Sequence, residues 1–552
     1  MEKMNRTIKI AGVAALLLTV AGTGCTDPTV APKSTVTSAN IFNDPNSYRA
    51  FLAKIYGGLI VTGQRGPDGN PDIAGIDEGF GEYLRLYWYL QEMPTDEAVI
   101  GWNDPGLPDL NRGTWGSSNS MVNAMYYRIF YQVMLVNEFL RQSTDAKLDS
   151  RGQMDPTLRT NVHFYRAEAR FLRALSYWHG IDMFANIPLV TENDPLGSAP
   201  PQQATRADIY AYVVSELSDI ISQLPPKGAS TYGRATPDAA HMLLAKLYLN
   251  AGVYSGTPNY AGALTEASAV IAGGYTLDPS FAHNFQADNN TSPELVFVAP
   301  QDGGKTQTWG GMTFLIHAGC GAAMSAGTYG VDYCWGGYRM KQQAFRLFAA
   351  GDKRGASFWL PDSAVAHGDT TTQQEVDSGW AVATGLSHQV DSVISIGDFH
   401  HGIPGPKFSN KTSGGANGQQ SGMVDTDFPI FRLADAYLIY VEANIQGGGG
   451  SAATALGYLN AIRQRAYGNT SADFAALPAV DTILAERGRE FMFEAQRRTD
   501  LVRFGLFSGG TYLWAWKGGV AGGTSLGAFR DLYPLPANEL IANPNLTQNP
   551  GY

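Results

Sequence analysis

The sequence predicts a mainly α-helical protein that also contains an irregular, loop-rich region with small strands. Apolar residues recur at steps of three and four along much of the first half of the chain and again near its end, which is the period of helices with one buried face. Residues 275–428 differ, because Gly, Ser, Thr and Asp separate short apolar pieces there. The chain has 552 residues, of which 44% are hydrophobic, so it can bury a large core.

The N-terminus has the organisation of an export signal. Basic residues precede the apolar run 10–20, which is too short to span a bilayer as a helix, and small residues then lead to Cys25. This pattern predicts a lipoprotein signal peptide over residues 1–24, cleaved before Cys25, which then carries lipid. Gly22 stands where Leu is usual, and cleavage without lipidation is the alternative. The polar, Pro/Ser/Thr-rich composition of residues 25–44 predicts a flexible tether.

The charge of the chain argues against nucleic acid as a partner. The formal net charge is −11 and the sequence has no run of basic residues. The same balance argues against a polybasic attachment to anionic lipid. No segment after the signal is long and apolar enough to cross a membrane. Lipid on Cys25 is therefore the expected link to the membrane.

Only two cysteines, Cys320 and Cys334, remain after the signal and Cys25. Export makes a disulfide between them possible, but the sequence does not give the distance between their Cα atoms. No cluster of His or Cys flanks them. We therefore predict no metal site and no cofactor.

Helices are predicted to pair along the chain. Thr236 and Pro237 are typical of a helix start, Gly252 is placed as the stop of that helix, and residues 260–271 form its mate. Leu244-Ala245, Tyr248, Gly252, Tyr260 and Ala263 are similar to a degenerate tetratricopeptide repeat, in which small residues let two helices approach. Further pairs are predicted at 160–184 with 206–224 and at 430–446 with 452–466.

Residues 481–507 are predicted to form one helix with three glutamates, Glu486, Glu490 and Glu494, at steps of four. Paired carboxylates on a helix can serve acid–base chemistry. The favoured interpretation is a structural ion-pair network, because no glutamate is marked as isolated. The arginines expected to neutralise the stripe are Arg487, Arg489, Arg497 and Arg498.

Several motifs together resemble one protein family. Residues 166–177 read R-x-E-A-x-F-x-R-A-x-x-Y and are followed by Pro188-Leu189-Val190. Phe428–Leu438, Glu486–Gly505 and a C-terminal signature with Tyr533-Pro534-Leu535-Pro536 follow. This order resembles the SusD/RagB proteins, which are glycan-capturing outer-membrane lipoproteins of Bacteroidetes-type bacteria. The resemblance covers essentially the whole mature chain.

The resemblance implies a SusD-like domain over residues 45–552. Its tetratricopeptide-type helices are expected at about 45–274 and 429–507, its loop-rich region at 275–428 and its C-terminal signature at 508–552. The implied function is non-enzymatic: a lipid-anchored protein on the surface of the outer membrane binds glycan and delivers it to a SusC-like TonB-dependent transporter. A secreted glycoside hydrolase using the glutamate stripe, a tetratricopeptide-type scaffold for other proteins and a peptide-binding relative are the alternatives.

Two loop stretches carry the residue types that sugars need. A saccharide presents C–H groups on one face and hydroxyls at its rim, so a binder offers an aromatic ring together with amide or carboxylate groups. In the family, glycan contacts come from comparable loops. The candidate glycan-binding residues are Trp102, Asn103, Asp96, Trp309, Tyr329 and Tyr333. Trp335 is expected to pack in the core, and the alternative for the whole set is that the rings only pack loops onto the body.

Overall fold

Helices dominate the chain, which confirms the predicted fold class. A computed structural model describes residues 40–63, 66–67, 71–195, 197, 199–321, 324–349, 351–355, 395–399, 401–405 and 407–552. The predicted signal peptide 1–24, Cys25 and most of the predicted tether lie outside the described residues. The chain divides into two units, Met1–Ser47 and Tyr48–Tyr552. The described part of the first unit contains a 3₁₀ turn at Ile41–Asn43.

In chain order the helices are α1 (Asn46–Gly57), α2 (Tyr83–Glu92), α3 (Leu107–Arg112), α4 (Ser120–Gln142), α5 (Asp145–Ser150), α6 (Pro156–Phe184), α7 (Arg206–Ile220), α8 (Pro237–Leu249), α9 (Ala251–Tyr254), α10 (Tyr260–Ala272), α11 (Gly311–Ala318), α12 (Gln342–Phe345), α13 (Leu433–Ile445), α14 (Ala452–Tyr467), α15 (Val480–Glu490), α16 (Arg497–Arg503) and α17 (Ala537–Ala542). The strands are β1 (Ala98–Ile100), β2 (Ile187–Pro188), β3 (Gln203–Ala204), β4 (Leu295–Ala299), β5 (Tyr338–Met340) and β6 (Phe428–Arg432). In the part of the chain that the structure describes, they form three two-stranded antiparallel sheets, β1–β5, β2–β3 and β4–β6.

All three predicted helix pairs are present. Helix α6 packs against α7, α8 against α10, and α13 against α14. Helix α10 also packs against α13, and this contact joins the two groups of helices that the loop-rich region separates in sequence. The predicted start of α8 is confirmed, because the Thr236 hydroxyl accepts a hydrogen bond from the Ala239 amide. Gly252 is not a stop, because α8 already ends at Leu249 and Gly252 lies within α9.

The longest of the described helices, α6, contains the first family motif. Pro156 occupies its first turn, and the Asp155 carboxylate caps it by accepting two backbone amides. On its polar side, Arg170 and Arg173 both form ion pairs with Glu216 of α7. The Glu216 carboxylate thereby neutralises two positive charges that lie three residues apart on α6.

The structure corrects the single helix predicted over residues 481–507. The helical path stops at Glu490 and resumes at Arg497, and Phe493 and Ala495 between them have φ angles of 62° and 59°. Tertiary partners replace the helical hydrogen bonds there. Glu97 accepts the Phe493 amide at 2.8 Å, and Glu92 accepts the Gln496 amide at 3.1 Å. The turn is therefore stabilised by carboxyl groups from a segment about four hundred residues earlier in the chain.

The glutamate stripe is part of a buried ion-pair network, as the favoured interpretation of the sequence predicted. Glu486, Glu490 and Glu494 are all buried. Of the four arginines expected to neutralise them, only Arg489 pairs with the stripe, through Glu486. The main partners come from other elements and are Arg354, Lys407, Arg432, Arg463 and Arg465. Arg487 pairs with Asp435 and Asp500, Arg497 with Asp96, and Arg498 with Asp182.

Candidate functional site

The small sheet β1–β5 places two tryptophans side by side. Ile100 of β1 is opposite Tyr338 of β5 in the antiparallel register. The chain leaves β1 towards Trp102 and enters β5 from Trp335, so both rings emerge at the same end of the sheet. Their ring centres are 6.4 Å apart, and both side chains are partly exposed.

Two further rings join them from neighbouring segments. The ring of Trp309, two residues before α11, has its centre 6.0 Å from that of Trp335, and the ring of Tyr333 lies 6.3 Å from it. Tyr333 is 53% exposed and Trp309 is partly exposed. We call Trp102, Trp309, Tyr333 and Trp335 the aromatic cluster. Trp335, which the sequence placed in the core, is its centre.

Two buried side chains of helix α11, His317 and Phe314, pack against the cluster. The buried His317 imidazole stacks on Trp335 at 4.7 Å, and Phe314 contacts Trp102 with its ring edge. Burial lowers the pKa of His317, so the neutral ring can donate from Nδ1 to the Tyr333 carbonyl oxygen, 2.8 Å away.

A disulfide joins Cys320 to Cys334, whose Cα atoms are 5.0 Å apart. The segment just after α11 is thereby linked covalently to Cys334, the residue before Trp335.

Arg85 of α2 contacts two members of the cluster, Trp102 and Trp309. Its guanidinium carbon lies 5.7 Å from the centre of the Trp102 ring and 4.4 Å from that of Phe314. It also donates to the Trp309 carbonyl oxygen at 2.8 Å and to the Tyr89 hydroxyl at 2.9 Å. The sequence analysis missed Arg85. The available signal was a single arginine within the aromatic run of Tyr83–Glu92.

Glu82 connects α2 to α11 beneath the cluster. Its carboxylate accepts the amides of Leu84 and Arg85, which caps α2, and also the Gly311 amide at the start of α11. Burial raises the pKa of Glu82 to about 7, although these amides act in the opposite direction. The contact fixes the start of α11 relative to α2, and Trp309 lies two residues before that start.

The other predicted site residues are not all at this surface. Asn103 is exposed beside Trp102. Asp96 is 0% exposed; its two oxygens accept from Arg497 at 2.8 and 2.7 Å, and the Tyr512 hydroxyl donates to it at 2.6 Å. Tyr329 is only 4% exposed. Asp96 and Tyr329 therefore do not belong to the surface that a ligand can reach.

Gly337 is where a single added carbon would disturb the cluster. A Cβ atom there would lie 2.8 Å from the Trp102 ring and 2.8 Å from the Ala318 Cβ. We expect Gly337→Ala to displace the Trp102 ring and to destabilise the protein by about 1–3 kcal/mol through overpacking. Thermal unfolding and tryptophan fluorescence measure the two effects. The control is Gly457→Ala on α14, where nothing lies within 4 Å; equal behaviour of the two variants would contradict the prediction.

The fold and the site together define a class: a helical body that carries a partly exposed cluster of aromatic rings on its loops. A model of the SusD family matches residues 397–552, and a family model described as starch-binding and associating with the outer membrane matches residues 106–249. The starch-binding protein SusD of Bacteroides thetaiotaomicron is 33% identical over 527 residues, 91% of each chain. The chain belongs to the SusD family, which confirms the predicted resemblance.

Other relatives agree with this assignment. SusD-like protein P2 of Formosa agariphila is 26% identical over 467 residues, 80% of this chain and 83% of that protein. Among solved structures, surface glycan-binding protein A from Bacteroides thetaiotaomicron in complex with laminarihexaose has a TM-score of 0.66 at 20% identity, covering 91% of this chain and 98% of that one. The latter similarity shows the fold.

The predicted outer-membrane location agrees with the description of the matching family model. Among the residues that the structure describes, no helix is long and apolar enough to cross a membrane.

Proposed function

We propose that this protein captures glycan at the cell surface and that the aromatic cluster is its binding site for a starch-type α-glucan. The meeting of Trp102, Trp309 and Tyr333 around Trp335 carries the proposal. Partly exposed rings can stack on the C–H faces of successive sugar units, and the exposed Asn103 amide can bond hydroxyls at their rim. The choice of an α-glucan is supported by the name of the 33% identical relative, a starch-binding protein.

The proposal includes delivery of the glycan to a SusC-like TonB-dependent transporter, with the chain attached to the outer membrane through lipid on Cys25. Membership of the SusD family supports the partner. The export signal that precedes Cys25 supports the anchor.

Hydrolysis by the glutamate stripe is not favoured. A general acid needs a carboxyl group that keeps its proton near neutral pH. Although burial alone would raise the pKa of Glu490, Arg465, Arg432 and Arg354 hold it well below its usual value. The glutamates of the stripe are also buried, so a polysaccharide does not reach them. The names of the relatives describe binding proteins.

A native gel experiment tests the proposed function. The purified protein is expected to migrate more slowly in gels that contain amylopectin than in gels without polysaccharide, with a smaller effect in gels that contain laminarin. Incubation with amylopectin is expected to release no reducing ends. Unchanged migration in the amylopectin gel would contradict the proposed ligand, and release of reducing ends would count for the hydrolase.

A further inference from the structure

A cavity of about 380 Å³ lies outside the aromatic cluster. The loop 227–233, the turn at Gly274-Tyr275, the segment 290–293 and strand β4 line it. None of its lining residues belongs to the aromatic cluster. The volume is suitable for one or two sugar units, since ligand pockets begin at about 300 Å³.

One wall of the cavity is an aromatic ring with a fixed orientation. Tyr232 is 40% exposed, and its hydroxyl donates to the buried carboxylate of Asp427. Asp427 is itself held in place by the Gln301 amide at 2.6 Å and by the Asn289 side chain, which bonds both its amide and its carbonyl group. An exposed ring that is held through its hydroxyl offers its face to a ligand at little cost in side-chain entropy.

The lining also contains a cation and a second ring. The Lys227 ammonium lies 3.4 Å from the centre of the Tyr275 ring and donates to the Gly273 carbonyl oxygen at 3.0 Å. The Tyr275 hydroxyl donates to Asp238. An ammonium group has three donors, so the bond to Gly273 leaves capacity for a ligand hydroxyl. Lys227 is exposed at the rim.

The remaining lining combines an apolar strand with polar groups at the rim. Residues Leu295–Val298 of β4 line the cavity along consecutive positions, and all of them are buried hydrophobic residues. Asn290 contributes an exposed amide side chain. Among the described residues that line the cavity, Lys227 is the only charged one, and the hydroxyls of Tyr232 and Tyr275 donate to carboxylates.

We propose that this cavity is a second saccharide-binding site, separate from the aromatic cluster, which takes a short neutral oligosaccharide. The Tyr232 ring stacks on the C–H face of one sugar unit, and Lys227 and Asn290 bond its hydroxyls. The assignment of a neutral glucan rests on the proposed function. Two sites on one molecule raise the avidity for a long polysaccharide without a change in either site.

Calorimetric titration with maltoheptaose and with laminarihexaose tests the proposal. The proteins compared are the wild type, Trp102→Ala, Tyr232→Ala and the double variant. We expect Trp102→Ala to retain weak binding of at least one of these sugars, and the double variant to lose that residual affinity by about tenfold or more. Tyr458→Ala on α14, outside both sites, is the control and is expected to bind like the wild type.

The rim variants Asn290→Ala and Lys227→Ala, made in the Trp102→Ala background, keep the test valid if loss of the Tyr232 ring lowers the melting temperature. Hydrogen–deuterium exchange of the wild type with maltoheptaose should protect residues 227–233 and 290–298 in addition to the cluster. Unchanged residual affinity in all three cavity variants, or protection of the cluster alone, overturns the second site. If Tyr232→Ala removes binding and Trp102→Ala does not, the second site stands and the cluster loses its proposed role.

Discussion

Replacement of Arg432 by Met is expected to destabilise the protein by about 3–5 kcal/mol, because it removes a buried cation that three buried carboxylates share. The guanidinium of Arg432 donates to Glu294 at 2.8 Å, to Glu490 at 2.6 Å and to Glu494 at 2.8 Å. All four side chains are buried. Thermal unfolding of Arg432→Met and of the wild type at pH 7 measures the loss.

The control for this prediction is Arg49→Met, since Arg49 is exposed on α1. That change is expected to stay within about 0.5 kcal/mol of the wild type. Equal melting temperatures for Arg432→Met and Arg49→Met would show that the network contributes nothing to stability.

The network also gives stability a predictable dependence on pH. Although burial alone would raise the pKa of Glu486, Arg354, Arg489 and Arg463 hold it at about 2, below its ordinary value of 4.5. The unfolded chain therefore binds more protons than the folded one below about pH 4.5. The stabilisation is present above that pH and is lost as the pH falls towards 2. Although burial alone would also raise the pKa of Glu490, Arg465, Arg432 and Arg354 hold it below its ordinary value. Arg432→Met should therefore reduce the steepness of this acid transition.

The second large effect is expected at the aromatic cluster. Trp102→Ala should weaken the binding of maltoheptaose roughly 10- to 100-fold, because burial of a large ring against a ligand contributes about 1.5–3 kcal/mol. The Trp102 ring also contacts Phe314 and Arg85, so affinity and melting temperature are measured together. Lost affinity with a melting temperature close to that of the wild type supports the site.

Two further variants sharpen the result at the cluster. Tyr333→Ala removes its most exposed ring and is expected to weaken binding with the smallest effect on stability. Phe529→Ala, which removes an exposed ring outside the cluster, is the control and should bind normally. If Trp102→Ala lowers the melting temperature and leaves the affinity unchanged, the Trp102 ring contributes to stability and not to glycan binding.

The sequence predicted the helical body because the signals of a helix are local. The periodic apolar face of α6, the Thr236 cap of α8 and the helix pairs all follow from residues a few positions apart. The order of these motifs also indicated the SusD family. Three of the six candidate site residues, Trp102, Trp309 and Tyr333, lie in the aromatic cluster, because a ring in a polar loop has no helical face to occupy.

Long-range contacts decided the rest. The turn between α15 and α16 depends on Glu92 and Glu97, and no pattern within residues 481–507 reveals those partners. The burial of Asp96 also depends on a distant partner. Aspartate is usually exposed, but Asp96 is buried because Arg497 neutralises it.

The assembly of the aromatic cluster was likewise decided by tertiary structure. The register of β1 with β5 brings Trp335 beside Trp102, although more than two hundred residues separate them in the chain. Periodicity, capping and composition are properties of neighbouring residues, so they determined the helices and the candidate rings. The pairing of strands, charges and rings depends on distances through space, which only the folded chain sets.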